Sequence, residues 1–463
     1  MSAPPEQGRF RIAVVGAGPA GFYLTERLLS RDDLEVDLFD RLPAPYGLVR
    51  YGVAPDHEKI RNVTRVFDRI AASPRFRFFG NVEIGRHLTL EDLHRHYDQV
   101  AFTTGAQTDR RMGIPGEDLR GSHAATEFVA WYNGHPDFCD RAFDLSVERV
   151  VVVGVGNVAV DVARILCRTP QELEHTDIAD HALAALRASR VREVVMLGRR
   201  GPAQAAFTNA EVKELGELAG ADVRVLPDDL ALDPVSQVAL EAEDGAATRK
   251  KLEILTQFSR RPRTGKPRVL TLRFLVSPLE LIGDADGRVR RVRLVRNRLE
   301  PADRSPRAVA TDQVEHLDAG LVFRSVGYRG VPIVGLPFDH RRGVVPNAAG
   351  RVVDPDTGHP IPRCYVAGWI KRGPFGVIGT NKSDAAGTAE AMLADLVAGG
   401  PRPLDPTAAG ALALVQGVQA AFVSYPDWMR VQAVETERGA AAGRPRVRFT
   451  SAAELLAVRR SPG

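Results

Sequence analysis

Cysteine is nearly absent from this chain: three residues in 463, at Cys139, Cys167 and Cys364, far apart and without a CxxC pair. That excludes a disulfide-stapled scaffold, a cysteine zinc site and a dithiol redox centre, and it fits a reducing compartment. Long apolar runs are missing too, and none approaches the roughly 18 residues that a membrane-spanning helix needs. The opening MSAPPEQGRF has no apolar core and does not read as a secretory signal. Lysine is scarce beside arginine, and no dense basic tract or aromatic-spaced basic motif occurs. The formal charge of +4 therefore gives no reason to expect nucleic-acid binding, although a basic patch for an acidic protein remains open. No solenoid period is visible. These absences leave a soluble, cytoplasmic chain whose 44% hydrophobic content suffices for two or three full-sized cores.

What the sequence does contain is two nucleotide-binding signatures. In RIAVVGAGPAGFYLTERLL, the apolar run Ile12–Val15 reads as a buried parallel strand, and Gly16, Gly18 and Gly21 form GxGxxG before a helical stretch. Gly16 permits the tight turn, Gly18 lets a pyrophosphate approach the backbone, and Gly21 lets helix and strand pack closely. The next strand, VDLFD, ends in Asp40, where an acid accepts from ribose hydroxyls. The second signature, VERVVVVGVGNVAVDVARILC, gives GxGxxA from Gly154, Gly156 and Ala159. Its following strand, VREVVMLG, comes late, after a stretch whose HTDIADHALAALR reads as a helical excursion. That strand ends in Arg199 and Arg200 instead of an acid. Guanidinium groups fork onto a 2′-phosphate, which an acid would repel, so this site reads as NADP. A chain with both sites suggests a flavoprotein with a nicotinamide partner.

YDQVAFTTGAQ ends the first nucleotide sheet at Thr104-Gly105, and GLVFRSVGYRG later repeats the strand-then-glycine pattern. From Arg363, RCYVAGWIKRGPFGVIGTNKSDA adds another strand, a glycine-rich loop and a helix. The predicted fold is α/β, with two Rossmann-like dinucleotide-binding domains, the NADP domain (109–329) inserted in the FAD domain (1–108 and 330–463, with the tail). Leu226–Arg268 reads as helical and surface-facing, and TLRFLVSPLELIGDADGRVRRVRLVRNRLE as antiparallel strands turning at DADG. YPDWMRVQAVETERG and TSAAELLAVRR read as docked tail helices.

Together, PYGLVRYGVAPDHEKIRNV, FRFFGNVEIGR, IPGEDL, WYNGHP, GNVAVDVARIL, GRRGPAQAAFT and GWIKRGPFGVIGTNKSDA resemble the adrenodoxin reductase family and its bacterial NADPH–ferredoxin reductases, over nearly the whole chain. The resemblance implies non-covalent FAD, hydride transfer from NADPH and single-electron delivery to a ferredoxin, with a cytochrome P450 as one possible consumer. It implies FAD contacts at Gly16, Gly18, Ala20, Gly21, Asp40, Leu48, Val82, Trp369, Gly376, Val377 and Ile378. For NADP it implies Arg110, Val155, Gly156, Asn157, Val158, Gly376 and, at the adenosine end, Arg199, Arg200 and Glu211. His57 and Glu214 resemble the pair near nicotinamide and flavin. No metal is implied. Lys371 and Arg372 are expected to steer an acidic ferredoxin. Three positions depart from the pattern: Val155 stands where relatives carry a polar residue, Phe375 replaces a small residue in the glycine loop, and Asp40 replaces a longer glutamate. Two other functions stay open, a redox-sensing flavoprotein that binds a protein partner and an NADPH–quinone or diaphorase-type reductase. The missing CxxC removes a disulfide reductase.

Overall fold

Strands that read as unbroken apolar runs need cover on both faces, and here they form two separately covered sheets. The computed structural model describes residues 10–241, 245–303, 305–399 and 410–460. The first sheet has seven strands. Its parallel part runs, in spatial order, Pro360–Val366, Gln99–Phe102, Phe10–Val15, Leu34–Phe39 and Phe76–Phe79. The short strands Arg351–Val353 and Asn347–Ala348 extend it antiparallel at one edge. Ile12 and Val14 enter one core while Ala13 and Val15 enter the other, which is the period-two alternation of a strand buried on both sides.

The second sheet is wholly parallel, in the order Ser122–Ala124, Leu321–Arg324, Arg149–Val153, Glu193–Gly198, Arg268–Phe274 and Ala221–Val225. Val150 and Val152 face one core, Val151 and Val153 the other. The latter core is closed by a three-stranded antiparallel sheet, Val276–Gly283, Val289–Glu300 and Arg307–Asp318. A two-stranded ribbon, Thr108–Asp109 against Tyr328–Arg329, carries the chain out of the first sheet and back.

The hairpin at DADG is present, but its expected first strand divides in two. Arg268–Phe274 joins the parallel sheet beside Glu193–Gly198, and only Val276–Gly283 pairs antiparallel. Leu275, at φ +57°, makes the break. Within Leu226–Arg268 the helices Pro234–Glu241 and Ala246–Arg260 form, yet Ile254, Leu255 and Phe258 are buried, so this segment is partly core. The excursion forms Pro170–Glu174 and Asp180–Arg187, and the tail forms Tyr425–Ala441 and Ala452–Arg460.

Buried ion pairs tie the tail across both sheets. Glu435 receives Arg50 at 2.9 and 2.5 Å. Asp177, on the excursion, is bound by Arg61 and by Arg448 at 2.5 Å, and these cations hold its carboxyl well below the usual range despite burial. Removing one partner of such a pair strands a buried charge, so the network fixes the relative placement of the sheets.

Candidate functional site

The two glycines that pack inside the first loop can be told apart from the one that faces a ligand. Gly16 has φ +112°, and a Cβ there would lie 2.7 Å from the backbone of Thr103. A Cβ on Gly21 would lie 2.1 Å from the Gly16 carbonyl oxygen, whereas one on Gly18 would meet nothing within 4 Å. Gly18 caps the helix Pro19–Leu28 with no side-chain bond, so the first-turn N–H groups point outward unsatisfied. Asp40 braces this loop. Its carboxylate accepts from Ala17 N–H at 2.8 Å and Leu42 N–H at 2.9 Å, while burial pushes its carboxyl up.

The other expected FAD residues converge on the same strand ends. A Cβ on Gly47 would lie 3.0 Å from Gly18 Cα, which sets Leu48 beside the loop. Val82 N–H donates to the Asp40 carbonyl at 2.9 Å. Gly368, at φ +77°, brings the return segment against the first helix, where an added Cβ would be 2.6 Å from Ala20 Cβ. The turn through Gly376, Val377 and Ile378 follows, and among the described residues these three N–H groups have no intramolecular partner. Trp369 is not a core aromatic: it lies tilted at 48° against Tyr328 of the ribbon, with centroids 5.4 Å apart, and donates from Nε1 to the Phe375 carbonyl at 3.2 Å. Buried Thr104 Oγ1 also lacks a partner. Unsatisfied donors around open space are what a pyrophosphate and an oxygen-edged ring system require, so the residues fit FAD.

Lys371 and Arg372 do not form a docking rim. Lys371 Nζ lies 3.0 Å from Asp384 and 3.1 Å from Thr388 Oγ1. Arg372 donates to Asn381 Oδ1 at 3.0 Å and to the Phe375 carbonyl. The curl of the loop between Gly368 and Gly373 turns both cations inward, where they clamp it.

The second loop repeats the first. Gly154 has φ +136° and a Cβ there would lie 2.2 Å from the Ser325 carbonyl oxygen, whereas one on Gly156 would meet nothing within 4 Å. Gly156 opens the helix Asn157–Cys167 without a side-chain cap. Val158 lies in its first turn, partly buried against the core. Val155 packs on Gly198, and its carbonyl accepts from Ala206 and Phe207 N–H at 2.9 and 3.0 Å. The Asn157 side chain accepts from Thr208 N–H at 2.9 Å, so it pins the neighbouring loop. Arg199 is exposed, and Arg200 reaches Ser305 Oγ, both at the carboxyl end of Glu193–Gly198. Arg110 lies on the ribbon over Gly327, donating at 3.4 Å to the Arg342 carbonyl.

Between the two loops lies an ionic cluster that spans the sheets. His57 Nε2 is 2.8 Å from Glu214 Oε2, which joins the expected pair across 157 residues of sequence. Arg164 Nη2 lies 3.4 Å from His57 Nδ1. A guanidinium can only donate, so a ring protonated on Nε2 satisfies both neighbours, a tautomer assigned from the network. Arg164 is fully buried and also binds Asp56 at 2.7 Å, Asp161 at 2.6 Å and Glu211 at 3.3 Å. Burial pushes the Asp161 carboxyl up to about 6, against the pull of Arg164. Glu211 is raised by burial as well. Glu211, expected at the adenosine end with the arginine pair, contacts Arg164 and lies near His57 in this cluster. The helix Asn209–Leu215 puts it three residues before Glu214 on the face against Arg164, 4.0 Å from His57 Nε2. The ligand-type atoms of His57, Asp161 and Glu211 all lie within 4.8 Å of one another, but the cation that both carboxylates face is Arg164. Sequence reading missed Asp56, Asp161 and Arg164. The available signal was an aspartate and an arginine three apart on the otherwise apolar helix VAVDVARIL.

Two parallel sheets, each with a glycine turn opening a helix, and a cluster joining their ends define a two-dinucleotide oxidoreductase. Consistent with this, residues 10–201 match the pyridine nucleotide-disulphide oxidoreductase family. The chain is 45% identical to NADPH-ferredoxin reductase FprA of Mycobacterium tuberculosis, covering 97% of this chain and 99% of that protein. It is 49% identical to a probable ferredoxin/ferredoxin–NADP reductase of the same organism, over 96% of this chain and 75% of the relative. It is also 42% identical to human mitochondrial NADPH:adrenodoxin oxidoreductase, over 96% and 91%. The solved structure of M. tuberculosis FprA in complex with NADPH superimposes with a TM-score of 0.91 at 44% identity, covering 98% of this chain and 100% of that one. The chain belongs to the adrenodoxin reductase-type NADPH–ferredoxin reductases.

Proposed function

We propose that the chain is a FAD-dependent ferredoxin–NADP reductase that oxidises NADPH and delivers electrons to an iron–sulfur ferredoxin. The observation that carries this reading is the His57–Glu214 contact at 2.8 Å, because it brings the ligand-binding ends of two dinucleotide folds to one place. We assign 1–108 and 330–463 to FAD and 109–329 to NADP. When bound, FAD supplies the chemistry: it takes a hydride from the reduced nicotinamide and releases electrons one at a time.

The protein supplies binding and alignment. Gly18, Ala20 and Gly21 offer N–H groups to the FAD pyrophosphate, with Asp40 bracing the turn. Leu48, Val82 and Trp369 would flank the flavin, and the N–H groups of Gly376 to Ile378 would be free to bond its polar edge. Gly156 opens the helix for the NADP pyrophosphate, and Arg199 and Arg200 fork onto the 2′-phosphate. Two charge-assisted contacts of roughly 1.5–3 kcal/mol each, discounted for solvent, favour NADPH over NADH by about 10²–10³-fold. His57 holds a proton on Nε2 toward Glu214 beside the nicotinamide, and the buried Arg164 keeps Asp161 and Glu211 in register. Holding both rings in fixed register replaces several kcal/mol of encounter entropy.

The three cysteines are all free, which suits a reducing, cytoplasmic setting. Single-electron output suits a ferredoxin that serves a cytochrome P450. The test is anaerobic reduction of two-, three- and four-iron ferredoxins by NADPH with FAD-loaded protein. NADPH-dependent reduction of at least one supports the reading, and quinone reduction without any ferredoxin reduction contradicts it.

A further inference from the structure

One exposed ring in the loop around the cofactor site has no structural task. Phe375 is 70% exposed and is the only aromatic among the exposed large hydrophobic residues of the described chain. Its backbone, by contrast, is fixed. The Phe375 carbonyl accepts from Trp369 Nε1 at 3.2 Å and from Arg372, and its N–H donates to the Gly373 carbonyl at 2.9 Å. Arg372 is held in turn by Asn381 at 3.0 Å and Thr380 at 3.3 Å. Gly373 and Gly376, at φ +89° and +83°, flank the residue, and a Cβ on Gly376 would lie 2.3 Å from Thr380 Oγ1. These contacts brace the backbone of the loop, so the side-chain torsions are the readiest way for the ring to move.

The position of the loop says what the ring meets. On one side Gly368 abuts Ala20 at the first glycine turn. On the other, the Trp369 ring lies tilted against Tyr328 of the ribbon, with centroids 5.4 Å apart, and its Nε1 donates to the Phe375 carbonyl. The backbone of Phe375 thus sits between the first glycine turn and the ribbon that joins the two sheets. Apolar ring surface left in water is unfavourable in proportion to its area, so a flat aromatic neighbour is favoured over solvent.

We propose that the Phe375 side chain is a gate for the nicotinamide: it competes for the place that the nicotinamide must take against the cofactor and swings aside to admit it. The gate rests on the reading of the chain as a FAD- and NADP-binding reductase. It weakens nicotinamide docking while leaving the adenosine end untouched, so it leaves selection of NADPH to Arg199 and Arg200.

The test uses FAD-loaded protein and the variants Phe375→Ser and Phe375→Leu, with NADP⁺ titrated under equilibrium conditions. Two readouts are followed, the dissociation constant by calorimetry and the long-wavelength charge-transfer absorbance of a nicotinamide stacked on flavin. Phe375→Ser is expected to bind NADP⁺ about 3- to 10-fold more tightly, the worth of one aromatic stacking contact, and to gain charge-transfer absorbance. Phe375→Leu should fall between it and the parent, and binding of 2′,5′-ADP should be the same in all three. Unchanged NADP⁺ affinity and absorbance in both variants would overturn the gate, and weaker NADP⁺ binding by Phe375→Ser would make the ring a platform instead. A parent protein that takes up no FAD would reject the underlying reading and not the gate alone.

Discussion

The two glycine loops are nearly superimposable in their logic and opposite in their charge. In each, the first glycine sits at positive φ against the residue that follows a neighbouring parallel strand, Thr103 for Gly16 and Ser325 for Gly154. In each, the second glycine faces open space at an uncapped helix start. They part at the end of the next strand. The first loop finishes on half-buried Asp40, whose carboxylate accepts from Ala17 and Leu42 N–H. The second finishes on exposed Arg199 and on Arg200, held by nothing firmer than Ser305. On the proposed reading, the backbone turn makes a dinucleotide site and the strand-end charge selects which dinucleotide it takes.

The sharpest way to break the comparison is through the glycines. Gly16→Ala and Gly154→Ala each force a Cβ into backbone at 2.7 and 2.2 Å, so soluble folded protein should be lost in expression and circular dichroism. Gly18→Ala and Gly156→Ala should keep the melting temperature of the apoprotein and lose, respectively, FAD retention and NADPH binding. If either of these two unfolds the chain, that loop is structural and the parallel fails. Next in size, Arg199→Ala combined with Arg200→Ala should cut the NADPH-over-NADH ratio in kcat/KM by about 10²–10³-fold, mostly through KM for NADPH. A smaller effect is expected for Asp40→Ala, which takes the carboxylate partner from the Ala17 and Leu42 N–H groups. It should lower stability by about 1–3 kcal/mol in urea unfolding and loosen FAD, without touching nucleotide preference.

Smallest is a pH effect from the cluster. Asp161 is held at about 6 in the folded chain, above its ordinary 3.8, so the folded state keeps that proton more tightly than the unfolded state. Its contribution to stability is therefore present below about pH 4 and falls as pH rises to about 6. Over that window, stability of the parent minus that of Asp161→Asn should slope downward by at most about 1.4 kcal/mol per pH unit. A flat difference would place the titration elsewhere in the cluster.

Much of this was legible in the sequence because it is local. Both glycine turns, the acid and the arginine pair, the helical excursion and the tail helices are written in adjacent residues. The failures share a different cause. Leu275 at φ +57° carries no turn signal, so the parallel strand Arg268–Phe274 was hidden in a run that reads as one hairpin. The inward turn of Lys371 and Arg372 depends on Asp384, which arrives with the next helix. The contact of Glu211 with Arg164 was not foreseen because the two lie 47 residues apart, on different helices. Helix spacing puts Glu211 and Glu214 on one face, but only the packing of that helix on Asn157–Cys167 says what the face meets.

The central claim is that one loop holds FAD while the other selects NADPH, close enough for the two to react. Anaerobic titration of the purified, FAD-replete protein with NADPH and then NADH, following visible flavin absorbance, tests it most directly. Bleaching by NADPH at concentrations far below those needed with NADH is the result expected. Equal response to both nucleotides would remove the role of Arg199 and Arg200, and indifference to both would contradict the account as a whole.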